Sequence, residues 1–144
     1  IDVDVLAREQ EGILIPPDPL PDALRSAIAA IAHDRGFLEH WMNTAVAGQW
    51  RAGLPPGLAE RVAWRGYGGL RVGLVGRRDL IFFKLYASAD QTGPENVHVR
   101  DLLALRPTAV ELDAAAEWVR RQDPSPGFHE ILAKVVSYVD SALR

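Results

Sequence analysis

The chain opens with a period of two. In "IDVDVL" the apolar Ile1, Val3 and Val5 alternate with Asp2 and Asp4, which predicts a strand over residues 1–6. The alternation puts both carboxylates on one face, roughly 7 Å apart along the backbone. Like charges that close repel unless a cation or water lies between them. The polar "AREQEG" that follows gives way to "ILI", one more short strand, before four prolines between residues 16 and 21 break the pattern.

From residue 22 the period changes. Leu24, Ile28 and Ile31 recur at helical spacing and predict a helix over residues 22–35, with Gly36 at the C-terminal cap. "FLEHWMNTAVAGQW" reads as one or two short helices before the breaker "GLPPG" at residues 53–57. Residues 60–76 form two short strands around a Gly68-Gly69 turn, since paired glycines tolerate the positive φ of a tight hairpin. "RRDLIFFKLYASAD", residues 77–90, has little polar face and predicts a central, buried helix. A short helix follows over residues 95–105. Thr108 and Glu111 form a capping-box signature for a helix to about Arg121. Ser125 and Pro126 open the last helix, at about residues 126–142. Strands mixed with helices and then an all-helical half define an α+β chain, read as a single domain with a sheet-containing part over 1–76 and a helical part over 77–144. A start inside a strand-like run, without Met, leads to the expectation that an N-terminal part of the fold lies upstream of Ile1.

Composition narrows the chemistry. The chain has 144 residues, a formal net charge of −3 and no cysteine. Disulfides, thiolate metal sites and cysteine nucleophiles are excluded, and no general affinity for nucleic acid is expected, although a local basic site stays open. No apolar run is long enough to span a membrane, and a cytoplasmic location is expected. His33, His40 and His129 lack metal-ligand spacing, no serine sits in a nucleophile elbow, and "GYGG" at 66–69 reads as a turn. Trp41, Trp50, Trp64 and Trp118 are expected in a core or interface.

Three places stand out. Asp2 and Asp4 would suit a hard divalent cation such as Mg²⁺, or they face solvent on an edge strand. Lys84, amid Phe82, Phe83, Leu85 and Tyr86, either snorkels or binds an anion. Asp79 stands five residues before it, outside i,i+4 reach. In "ENVHVRDLLAL", Asp101 would orient Lys84 or another basic group across a helix pair, or would be a solvated charge.

In order, the h-D-h-D-h strand, "DLIFFKLYA", "HVRDLLAL", "WMN" at 41–43 and "RPTAVELDAAAEW" at 106–118 resemble a bacterial branch of the polymerase-β-like nucleotidyltransferases, which includes toxins of type IV toxin–antitoxin systems. The resemblance implies a mixed sheet with flanking helices. It makes Asp2 and Asp4 the metal-binding, catalytic carboxylates and Lys84 a catalytic group on nucleotide phosphates. It places Asp79 at an acidic position beside the nucleotide and Asp101 next to Lys84. It implies Mg²⁺, a nucleoside triphosphate, an RNA, protein or small-molecule acceptor and a possible antitoxin partner. Three departures accompany it. The Gly-Ser turn expected before the aspartate pair is absent, "LRVGLVG" carries no third carboxylate, and Val97 or His98 replaces a basic residue before Asp101. A catalytically inactive module of the same type is the rival reading, and a glycosyltransferase with a D-x-D metal site a distant third.

Overall fold

A computed structural model describes residues 2–50, 52–91 and 96–144, without the side chains of residues 49 and 50. Ile1, Glu95 and the side chain of Trp50, each named in the sequence reading, lie outside these. The described residues form an α+β fold with six α-helices and three two-stranded sheets. The chain divides into two compact units, Ile1–Gly53 and Leu54–Arg144. The hairpin at residues 63–74 therefore groups with the helices.

In the first unit, β1 (Val3–Asp4) pairs in parallel with β4 (Met42–Asn43), held by Val3 N–H to the Trp41 carbonyl and Val5 N–H to the Asn43 carbonyl, both 2.7 Å. Of the one or two short helices expected over residues 37–50, a 3₁₀ helix forms at Ala45–Trp50, and the two-residue strand precedes it. Asn43 explains the break: its side-chain oxygen accepts from Ala45 N–H at 2.9 Å, starting a turn where a helix would need the backbone carbonyl. β2 (Arg8–Gln10) and β3 (Ile13–Ile15) form an antiparallel hairpin, with positive φ at Glu11 and Gly12.

Helix α1 spans Asp22–Arg35 and ends on Gly36 at φ 66°, whose N–H bonds to the Ala32 carbonyl. Only glycine adopts that left-handed cap without a Cβ penalty. Its buried stripe is Ile28 and Ala32, whereas Ile31, expected inside, is 42% exposed. The single mixed sheet implied by the resemblance is not present among the described residues. The strands of the first unit are two or three residues long, and each pairs with a single partner, β1 with β4 and β2 with β3.

The second unit is built on α3 (Arg77–Asp90). Ile81, Phe82, Leu85 and Ala89 are buried on it, and α4 (Val97–Leu105), α5 (Ala109–Gln122) and α6 (Pro126–Leu143) pack around it. Trp118 of α5 meets Phe82 and Phe83 edge-on, with ring centres 5.9 and 5.8 Å apart. The expected capping box is formed: Glu111 N–H donates to the Thr108 hydroxyl and Thr108 N–H to the Glu111 carboxylate. Ser125 precedes α6 without a side-chain cap. Before the bundle come the one-turn α2 (Leu58–Arg61) and an antiparallel hairpin, β5 (Ala63–Tyr67) and β6 (Leu70–Leu74), turning at Gly68 with φ 60°. Among the described residues no helix is long and apolar enough to cross a membrane.

Candidate functional site

The residues singled out by the sequence fall on both units, and each unit organises its own. On the first, Asp2 and Asp4 are both exposed. The parallel register sets Asp4 beside Asn43, and the Asn43 amide nitrogen donates to Asp2 Oδ1 at 3.0 Å. The pair thus has an amide as its neighbour. Among the described residues, no group of three or more His, Cys, Asp or Glu side chains is gathered to hold a metal ion.

On the second unit, Lys84 and Asp101 come together. Lys84 Nζ lies 2.6 Å from Asp101 Oδ2, joining α3 to α4 seventeen residues apart in the chain. The lysine side chain is 30% exposed and the carboxylate 44%, so the pair sits at the rim of the helical core, open to solvent. The Lys84 hydrogen bond holds the Asp101 carboxyl below its usual range, against a smaller opposing cost of burial, and the charges of Lys84, His98 and Arg100 add to it. Asn96 fixes this corner: its side chain accepts from His98 N–H and donates to the Ser88 and Gln91 carbonyls, tying the start of α4 to the end of α3.

Asp79 is engaged differently. It is 2% exposed, and both its oxygens accept from Arg61, Nε to Oδ2 at 3.0 Å and a terminal nitrogen to Oδ1 at 2.5 Å. The same guanidinium donates to the Pro56 carbonyl at 2.8 Å. Hydrogen bonding to Asp79 raises the Arg61 pKa above its ordinary value, against the cost of burial. A buried carboxylate filled by a forked guanidinium ties the one-turn helix to α3. As placed, it offers no open oxygen to a nucleotide. Arg61 was not among the candidate residues, and the one signal for it was the unpaired acid at the start of an apolar helix.

A second arginine went unnoticed for the same reason. Arg77 donates to the Leu105 and Arg106 carbonyls at the end of α4 and to both oxygens of Glu111. The Arg77 hydrogen bonds, followed by the Thr108 backbone N–H, bring the Glu111 carboxyl down to about 2. The carbonyls at a helix C-terminus need donors, and this guanidinium supplies them where Arg106 turns the chain at φ 48°.

Of the tryptophans, Trp118 is core, and Trp41 bonds to the Ile28 carbonyl at 3.1 Å. Trp64 departs from expectation: it stands half-buried on the β5–β6 hairpin with the Arg71 guanidinium 4.2 Å from its ring centre. Comparison with protein-family models, curated proteins and solved structures finds no match to this chain.

Proposed function

We propose that this chain belongs to a nucleotidyltransferase-like protein that moves a nucleoside monophosphate from a nucleoside triphosphate to a hydroxyl on RNA, protein or a small molecule. The observation that carries the reading is the Lys84–Asp101 pair, two groups that the resemblance sets side by side and that stand 2.6 Å apart. A lysine held at one oxygen by a carboxylate keeps further N–H donors for phosphate oxygens, and its charge suits them as a point cation. Lys84 would bind triphosphate oxygens and Asp101 would position its ammonium.

Asp2 and Asp4 would hold Mg²⁺. Their hard oxygens fit that ion, which is commonly bound by one or two carboxylates together with substrate phosphates and water. Bound there, Mg²⁺ would neutralise charge on the transferring phosphate and lower the pKa of the attacking hydroxyl. A toxin–antitoxin role, with a neutralising protein partner, belongs to the same reading.

A second reading is favoured by one observation. The Asp2/Asp4 pair has the Asn43 amide beside it and no third acid among the described residues. This arrangement suits a module of the same type that binds without catalysing.

Calorimetric titration with each nucleoside triphosphate, with and without Mg²⁺, tests the proposal. Mg²⁺-dependent binding that is lost in Asp2→Asn/Asp4→Asn and weakened in Lys84→Met supports it. Transfer activity that survives Asp2→Asn/Asp4→Asn overturns the assignment of the carboxylates. Absence of nucleotide binding overturns the transferase and leaves the non-catalytic module.

A further inference from the structure

Residues 61–78 carry five arginines, at positions 61, 65, 71, 77 and 78, and no acid, within a chain of net charge −3. Arg61 and Arg77 are committed to Asp79 and Glu111. Arg65 and Arg71 belong to the β5–β6 hairpin, together with the aromatic Trp64 and Tyr67. We propose that this hairpin is a binding surface for a single strand of nucleic acid, a site separate from the Lys84–Asp101 pair and independent of any transfer chemistry.

The register distributes these groups. Trp64 faces Gly73 and Gly66 faces Arg71, so these four share one face, while Arg65, Tyr67, Leu70 and Val72 share the other. On the first face the Trp64 ring lies against Gly73, where a Cβ would come within 3.0 Å of it. Its centre is 4.2 Å from the Arg71 guanidinium. Gly73 is thus required first by Val62, whose Cγ1 would stand 2.6 Å from a Cβ there, and then by the indole. Gly66, opposite Arg71, has no atom within 4 Å of the place a Cβ would occupy. An open depression of about 350 Å³ is lined by Trp64, Gly66, Gly69, Leu70 and Arg71 among others. At the tip, Tyr67 is 64% exposed and paired with exposed Leu70.

Aromatic rings interleaved with arginines, and no acid between them, complement a phosphate backbone carrying flat bases. Bases stack on aromatic rings and on guanidinium planes alike. The three glycines at residues 66, 68 and 69 leave the depression without side chains that would keep a flat base away. An acidic protein would find the same charge but little to grip there.

The test is fluorescence anisotropy of the whole protein with a labelled oligouridylate of about ten nucleotides. Binding should weaken with salt, with a log–log slope of about −0.7 for each phosphate contact on a single strand. Arg71→Glu and Gly66→Val should each weaken it by about tenfold or more, a loss in the range of one stacked base. Gly66→Val guards against a trivial result, because its added atoms enter open space and should leave the melting temperature unchanged. Wild-type affinity in folded Gly66→Val and Arg71→Glu overturns the proposal. So does equal binding of an oligoglutamate of the same charge, which would make the hairpin a docking face for an acidic protein. Failure of nucleoside triphosphates to bind leaves this inference standing, since the probe and the variants are different.

Discussion

The two compact units use apolar residues in opposite ways. In Leu54–Arg144, α3 is enclosed by three other helices, and Ile81, Leu85, Leu102, Val119 and Leu132 are wholly buried. In Ile1–Gly53 the buried side chains among the described residues are Pro17, Ile28 and Ala32, and the strands are two or three residues long. A helix satisfies its backbone within itself and leaves its side chains to do the packing. A two-residue strand closes few hydrogen bonds and covers little surface. The contrast extends to charge. The helical unit joins its elements through the Arg61–Asp79, Arg77–Glu111 and Lys84–Asp101 pairs, whereas Asp2 and Asp4 stand exposed at the short strand β1. Stability and candidate metal chemistry are thereby assigned to different parts of the chain.

The most direct way to break this comparison is a cavity in each unit. Leu85→Ala should cost about 4 kcal/mol and Ile28→Ala, with fewer neighbours to lose, about 2 kcal/mol by urea denaturation. Equal losses would mean that the first unit is as well packed as the second.

The ion pairs come next. Arg61→Ala strands the buried Asp79 carboxylate and should cost about 3 kcal/mol. Lys84→Ala, at an exposed pair, should cost about 1 kcal/mol or less by the same measurement. A large loss at Lys84 would give that pair a structural role and weaken the case for phosphate binding.

Acid provides a finer probe. The Glu111 carboxyl is depressed from 4.5 to about 2, so its contribution is complete above about 4.5 and disappears as pH falls toward about 2. Asp101, also depressed by its partner, acts in the same direction. Urea midpoints should fall across that window in the wild type and fall less steeply in Glu111→Gln. An unchanged slope would remove the Arg77–Glu111 pair as a tie between α3 and α5. A similarly small effect is expected at Gly36→Ala, about 1 kcal/mol for forcing a Cβ into the left-handed cap, read from the thermal midpoint.

Local signals carried well for the long helices, although the Ser125 side chain does not cap α6. The apolar run at residues 77–90 became α3 with the expected bounds, Thr108 and Glu111 closed their box, and Gly36 capped α1. The β5–β6 hairpin formed around Gly68-Gly69. The failures were at residues 37–44, where a two-residue strand and the Asn43 turn stand in place of a helix, and at Ile31, which faces water. Candidate site residues were legible as residue types: Asp2, Asp4 and Lys84 were conspicuous because each carries charge in an apolar setting, whereas the residues alone left Asp101 open between Lys84, another basic group and solvent, and only the resemblance set it next to Lys84.

By itself, then, the sequence determined the elements whose causes lie within a few residues: helical period, caps, turn glycines and an arginine-rich stretch without acids. Only the tertiary structure decided the pairings. That Asp79 is closed by Arg61, that Glu111 is shared by a cap and by Arg77, and that Trp64 lies on a surface under Arg71 depend on groups brought together by packing. A carboxylate's period and neighbours state that it needs a partner. Which cation reaches it is set by how the helices and strands cross, and sequence spacing does not contain that distance.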